Sequence, residues 1–239
     1  MKHFFTLLFS IGLLMQLSGQ KHQWELGLSL GGSNIAGDLI DPDLSTFKET
    51  NFAFGLHASK FLSSELALKL NYYNGRLTGK DANFDRLSAR GFSFSSPVHE
   101  FSGMIAWEPI GSKRYKEEKF HKIVSPYLTG GIGLAYFNPK TIFNSVNSSM
   151  AELVAKDQAK DVSTFRLVIP VGAGLKIDLT DQWVLGFEYG LRVTFSDYLD
   201  GVSYAGNPHK NDWYGIGGLN LTYRLHQKKT ADTGVVDAQ

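Results

Sequence analysis

From Trp24 onward, large apolar residues alternate with small or polar ones at period two, the spacing that sends successive side chains to opposite faces of a strand. In the first run Trp24, Leu26, Leu28 and Leu30 alternate with Glu25, Gly27, Ser29 and Gly31. Phe52, Phe54 and Leu56 alternate with Ala53, Gly55 and His57, and after a tight turn at Leu62-Ser63-Ser64 come Leu66, Leu68, Leu70 and Tyr72 against Ala67, Lys69 and Asn71. A fourth run sets Phe101, Ile105 and Trp107 opposite Glu100, Ser102 and Glu108, and a fifth sets Leu128, Ile132, Leu134 and Tyr136 opposite Tyr127, Thr129, Gly131 and Gly133. The sixth and seventh are the clearest: Phe165 to Ile177 against Arg166, Gly172, Gly174 and Lys176, then Trp183 to Phe195 against Gly186, Glu188, Gly190 and Arg192. Trp213, Leu219, Leu221 and Tyr223 opposite Gly218, Asn220, Thr222 and Arg224 make the eighth.

These runs reach about ten residues, the length a tilted strand needs to cross a bilayer, whereas strands of a soluble sandwich need only five or six. Aromatic residues mark the run ends (Trp24, Tyr72, Trp107, Tyr136, Trp183, Phe195, Trp213, Tyr223), as in interfacial girdles. A closed barrel leaves no unpaired backbone edge in hydrocarbon. The pattern therefore predicts an all-β fold: an eight-stranded antiparallel transmembrane β-barrel of up-and-down topology over residues 21–225. With the N-terminus periplasmic, the long outer connections fall near 33–51, 75–96, 138–162 and 196–211, and the inner turns near 62–65, 109–122 and 178–182. The 109–122 connection is long for a periplasmic turn. Met150–Lys160 is rich in helix formers and predicts a short helix in the third outer connection.

Composition sharpens this picture at three points. Lys2 and His3 precede an apolar stretch from Phe4 to Leu17, with small residues at Ser18 and Gly19. That is the form of a secretory signal over 1–20, and it is shorter than a spanning helix. The polar residues 226–239 read as a flexible periplasmic tail. The absence of cysteine removes thiolate metal sites, Cys nucleophiles and disulfides, and a net charge of +1 without a basic block gives no footing for nucleic acid. The 25 glycines suit the narrow interior of a small barrel.

The inward face carries mixed charges: Glu100, Glu108, Arg166, Lys176, Glu188, Arg192 and Arg224, with Lys69. Either they line a selective pore or they pair into a plug. Eight strands leave too little room for a channel, so the plug is expected, with Glu188 and Arg192 each finding a partner. His57 and Ser59 lie two apart on one face, a spacing that resembles the His and Ser of an outer-membrane lipid A deacylase. Their apolar neighbours Phe54, Leu56 and Ala58 put the pair in the lumen instead, away from lipid. The glycine strings at 27–32, 130–133 and 172–174 lack P-loop spacing, and the seven histidines show no ligand spacing. No cofactor and no small-molecule substrate is expected. Asp41, Asp43, Asp197 and Asp200 in outer connections are candidate calcium ligands, but such residues more often shape turns. The basic 109–122 connection offers Lys113, Arg114, Tyr115, Lys116 and Phe120 as a partner-docking surface, since cationic and aromatic anchors typify interfaces.

Three stretches carry a family resemblance: Trp24 to Leu39, Ser125 to Gly133, and Ile169-Pro170-Val171-Gly172-Ala173-Gly174 through Arg192-Val193-Thr194-Phe195-Ser196-Asp197-Tyr198-Leu199-Asp200-Gly201-Val202-Ser203. In these the chain resembles the PorG-like outer-membrane barrels of the type IX secretion and gliding apparatus. The resemblance implies an accessory, non-enzymatic barrel in the outer membrane of a Gram-negative bacterium, associated with the periplasmic ring of that machine. It supplies no catalytic residues. The alternatives left open are a stand-alone OmpA-like barrel and a lipid-modifying esterase.

Overall fold

The computed structural model describes residues 24–36, 49–83, 90–116, 119–144, 150–206 and 211–225; the expected signal and tail lie outside them. Eight long antiparallel strands form the wall: β1 (Trp24–Ala36), β2 (Asn51–Phe61), β3 (Leu66–Lys80), β4 (Phe92–Trp107), β5 (Val124–Phe137), β6 (Phe165–Asp178), β7 (Trp183–Thr194) and β8 (Trp213–Leu225). Each pairs with its chain neighbours, and β1 pairs with β8 from Trp24↔Leu225 to Ala36↔Trp213, which closes the barrel. A short strand, Lys140–Phe143, extends the sheet alongside the outer end of β4. This is the predicted up-and-down, eight-stranded barrel.

Glycine makes the closing seam possible. Gly31 on β1 faces Gly218 on β8, and a Cβ on Gly31 would lie 1.9 Å from the Gly217 carbonyl oxygen. Only a residue without a Cβ lets these two backbones approach so closely.

The exterior is apolar through its middle. Leu28, Leu30 and Ile132 are 56%, 59% and 67% exposed, an arrangement that water would penalise and hydrocarbon rewards. Trp24, Trp107, Trp183 and Tyr223 ring the end where β1 begins and β8 finishes, expected to be periplasmic, with the Trp183 and Tyr223 rings 5.0 Å apart. Phe52, Tyr136, Phe165, Phe195 and Trp213 ring the other end. A closed wall with an apolar belt between two aromatic girdles is an outer-membrane barrel.

Two strands run farther outward than the hydrophobic pattern predicts. The alternation indicates a loop over 75–96, whereas β3 continues to Lys80 and β4 begins at Phe92. Period two persists there, but its polarity inverts. Below Asn74 and His99 the outward residues are apolar (Leu70, Tyr72, Phe101, Ile105) and the inward ones polar (Lys69, Asn71, Glu100, Ser102). Above that level Arg76, Thr78, Ser93 and Ser95 face out, and Leu77, Phe92, Phe94 and Val98 face in. The protruding wall is built as a water-soluble barrel is, because it has left the bilayer. At the changeover Tyr72 Oη and Asn74 Nδ2 lie 3.1 and 2.9 Å from His99 Nδ1.

The outer half of the lumen is consequently a hydrophobic core. Tyr73, Leu77, Phe92, Phe94, Val98, Phe137, Val168, Tyr214 and Ile216 from the wall pack with Leu199, Val202 and Ala205 of the fourth outer loop. Val154 joins them from the helix Ala151–Ala159, which occupies the predicted position. Asp81, fully buried, receives a two-pronged bond from Arg90 (2.8 and 2.9 Å) and the Phe92 amide (2.9 Å), which fixes the top of the β3–β4 hairpin.

Candidate functional site

Below the apolar core the inward side chains form three ionic tiers. In the uppermost, Arg192 Nε donates to Glu100 Oε2 at 3.0 Å, Tyr214 Oη donates to the same oxygen at 2.7 Å, and Ser102 Oγ to Oε1 at 2.9 Å. Arg192 Nη1 donates to both the Gly190 and Ile216 carbonyls at 2.6 and 3.2 Å, and the guanidinium lies 5.2 Å over the Tyr73 ring. In the middle tier Lys69 pairs with Glu188, which also accepts from Tyr127 Oη at 2.6 Å.

The lowest tier is the floor. Glu108 accepts from Arg114 Nη1 (2.8 Å), Ser125 Oγ (3.0 Å) and Lys176 Nζ (2.5 Å). Asp178 takes both Arg114 Nε and Nη2 at 2.8 Å and is also bonded by Arg224. Arg224 Nε in turn donates to Glu25 Oε1 at 2.9 Å, and Lys176 stands 3.6 Å from Glu25. Across the three tiers five carboxylates (Glu25, Glu100, Glu108, Asp178, Glu188) meet five cations (Lys69, Arg114, Lys176, Arg192, Arg224). Balance matters here, because a buried ion without a partner costs several kcal/mol, roughly 3–5 when one member of a pair is removed.

The structure gathers most of the sequence-predicted charges. Glu100, Glu108, Lys176, Glu188, Arg192 and Arg224 all enter these tiers. Arg166 does not: it is the second residue of β6, half-buried at the outer end, and its Nη1 donates to the Phe165 carbonyl at 3.1 Å. Glu25 and Asp178, absent from the charges predicted for the lumen although their strand parity points them inward, complete the floor. Arg114 joins from an unexpected direction.

Arg114, grouped by sequence with the docking surface, is 1% exposed and turns back into the floor. A single helical turn, Gly111–Arg114, folds the connection beneath the barrel, with Arg114 N bonded to the Ile110 carbonyl at 3.1 Å. Gly111 packs against the Ser64 carbonyl, where a Cβ would stand 2.0 Å away. Burial disfavours the charged guanidinium, but the carboxylates of Glu108, Glu25 and Asp178 outweigh it and hold the Arg114 pKa above its ordinary value. Lys113 points to solvent. Beyond it Tyr115–Lys116 pairs with Lys119–Phe120 as a small hairpin, Tyr115 opposite Phe120.

His57 and Ser59 are buried in the lumen, 8% and 5% exposed. His57 Nε2 lies 3.0 Å from Thr222 Oγ1 on β8, and among the described residues no acid is hydrogen-bonded to the ring to orient it as a nucleophile's base requires. Of the candidate calcium ligands, Asp41 and Asp43 lie outside the described residues. Asp200 Oδ1 accepts from the Val202 amide at 2.9 Å, shaping the fourth outer loop. Among the described residues no cluster of three His, Asp or Glu is placed to hold a metal.

The outer loops are latched together. Asp157, on the Ala151–Ala159 helix, accepts from Tyr198 Oη (3.2 Å) and from the amides of Ser203, Tyr204 and Ala205 (3.3, 3.0 and 2.9 Å). Partial burial and the Asp157 carboxylate push the Tyr198 phenol up to about 12.

A family model described as Domain of unknown function (DUF6089) matches residues 2–231. Among curated proteins none matches the chain. Similar solved structures include a major outer membrane protein from Thermus thermophilus (14% identity, TM-score 0.47, covering 86% of this chain and 100% of that one). They also include Ail, the attachment invasion locus protein of Yersinia pestis (12%, TM-score 0.46, 86% and 100%), and the outer membrane enzyme PagL (15%, TM-score 0.34, 85% and 99%).

Proposed function

The chain belongs to the DUF6089 family, and from that premise we propose that it is a non-enzymatic outer-membrane anchor, an accessory component of type IX secretion that docks to the machine's periplasmic ring. The observation that carries this reading is the sealed lumen. Paired ions below and an apolar core above fill the lumen among the described residues, which argues against a conducting role. The His57–Ser59 pair is enclosed within that filling, which argues against lipid chemistry there. Function then falls to the rims.

The periplasmic rim is the better prepared of the two for a protein partner. Arg114 ties the 109–122 connection to the floor through three bonds. Lys113 and the Tyr115–Phe120 hairpin are thereby presented from a fixed base, which lowers the ordering cost of association. The assignment to type IX secretion rests on the PorG-like resemblance at 24–39, 125–133 and 169–203.

The test is in-cell crosslinking followed by purification of the tagged protein in mild detergent and mass spectrometry. Wild type is expected to recover ring lipoproteins and core secretion subunits. Lys113→Glu with Lys116→Glu is expected to lose them at unchanged barrel abundance, with Arg114 left intact because it holds the floor. Unchanged recovery and secretion in that variant would rule out this docking surface. Recovery of the barrel alone from wild type would return the function to a stand-alone barrel.

A further inference from the structure

A cavity of about 280 Å³ opens at the outer mouth, between the Ala151–Ala159 helix, the fourth outer loop and the first residues of β6. Asn138, Gln158, Lys160 and Arg166 bring polar groups to it, and Phe143 and Tyr198 bring ring faces. Its volume is just below the roughly 300–1,000 Å³ of drug-sized ligand sites and suits a smaller ligand.

The charge in this cavity is unbalanced in a specific sense. Its one carboxylate, Asp157, is already occupied by three backbone amides and the Tyr198 hydroxyl. Its two cations, Lys160 and Arg166, form no ion pair among the described residues; Arg166 only touches the carbonyl of its own neighbour. Arg166 is also the one inward charge of the wall that the five-to-five lumen network leaves out. The walls are pre-formed: the Asp157 latch holds the helix to the fourth loop, and Thr141 Oγ1 donates to the Asp200 carbonyl at 2.5 Å. A guanidinium fork and an ammonium lining one cavity match a phosphate or carboxylate. Side-chain amides and ring faces around them match the hydroxyls and C–H faces of a sugar.

We propose that this outer pocket binds an anionic sugar, whose phosphate or carboxylate is held by Arg166 and Lys160. The inference is independent of periplasmic docking, since it concerns the opposite rim. Outer-leaflet glycolipids and soluble surface glycans both present such groups.

The experiment is calorimetric titration of the mature barrel in phospholipid nanodiscs with a hexose phosphate and a hexuronate, using neutral glucose and inorganic phosphate as controls. Saturable binding of the sugar acids is expected, weakened about tenfold in Arg166→Gln and again in Lys160→Gln, as loss of one charge-assisted hydrogen bond implies. Heat-modifiable migration on gels verifies that each variant barrel is folded. Repeating the titration in nanodiscs containing lipopolysaccharide separates the sources. Loss of the soluble-ligand isotherm identifies a membrane glycolipid as occupant, and its retention a soluble glycan; each supports the pocket. Absence of saturable binding in wild type, or undiminished binding by both folded variants, would overturn it. Inorganic phosphate binding as tightly as the hexose phosphate would overturn the sugar assignment.

Discussion

Replacing Arg114 by Met tests whether the floor network, and not the basic character of the periplasmic connection, is what Arg114 supplies. Met keeps much of the volume and removes the charge and all three donors. The lowest tier then falls from three acids and three bases to three and two, counting Glu25, Glu108 and Asp178 against Lys176 and Arg224. Asp178 keeps Arg224, and Glu108 keeps Lys176 and Ser125, so neither acid is orphaned outright. The cost is therefore set near the lower end of the range for breaking a buried pair, about 3 kcal/mol. Removing three separate charge-assisted bonds at ~1.5–3 kcal/mol each would overstate it.

Urea unfolding in lipid vesicles, followed by the fluorescence of the girdle tryptophans, measures the loss. At a slope of about 1–3 kcal/mol per molar urea, the midpoint should fall by roughly 1–3 M. Lys113→Met, one residue away and exposed, should stay within about 0.5 kcal/mol of wild type. Arg114→Lys should fall between, because a single ammonium cannot bridge Glu108 and the two oxygens of Asp178 at once. Adding Asp178→Asn to Arg114→Met should cost less than the sum of the two single changes, since the second removes a charge the first left in excess. If Arg114→Met unfolds within about 1 kcal/mol of wild type, or if the double change is additive, the floor is not an ionic unit and this reasoning is wrong.

Three further outcomes follow from the same geometry. The purified barrel in a planar bilayer should pass no steady large current; sustained conductance would contradict a lumen closed by paired ions and an apolar core. Gly31→Val should hinder barrel closure, destabilising by about 1–3 kcal/mol or more, because the backbone oxygen 1.9 Å from its Cβ has no flexible side chain to move aside; loss of the heat-modifiable folded band reads this out, and a normal band would refute it. Tyr198 holds its proton more tightly in the folded protein than in the unfolded chain, so its contribution to the loop latch is complete below about pH 10 and is lost as pH rises towards 12. An ultraviolet difference titration of wild type against Tyr198→Phe should show one phenol with a midpoint near 12 missing from the variant, and a missing phenol that titrates near 10 would sink the assignment.

How much of this was legible depended on where each residue stood relative to the bilayer. Within the membrane the sequence is direct, because lipid fixes the outward residues and a narrow lumen fixes the inward ones; Trp183 to Thr194 alternates without interruption and is a strand over that whole span. Outside the membrane the same alternation carries the opposite polarity. Phe92-Ser93-Phe94-Ser95 reads as an irregular outer loop if apolar residues must face lipid, and as a strand once they may face a core. No local signal marks the changeover; it becomes visible only when Asn74 is seen paired with His99.

The two arginines show a different limit. The inward charges read from the strands are Glu100, Glu108 and Glu188 against Lys69, Arg166, Lys176, Arg192 and Arg224, three acids against five bases. The structure balances them by adding Glu25 and Asp178 and by putting Arg114 in the place expected of Arg166. Arg114 belongs in the floor because a helical turn after β4 reverses the chain beneath the barrel, and a sequence pattern of period two has no means of expressing that reversal. Arg166 faces inward on the same alternation as Lys176, but one residue into β6 it meets the outer mouth and not the ionic tiers.

Exchanging the two roles changes what each rim is for. Had Arg114 been a free surface cation, the 109–122 connection would be a mobile basic loop, and any partner would have to order it on binding. With its guanidinium committed to Glu108 and Asp178, the start of the connection is tied to the barrel's base. The same ion pairs that fill the floor of the lumen thus hold the connection proposed above as a docking surface. On the proposed docking role, the loss of Arg114 would weaken the floor network and the seating of the 109–122 connection together, because the same three bonds serve both.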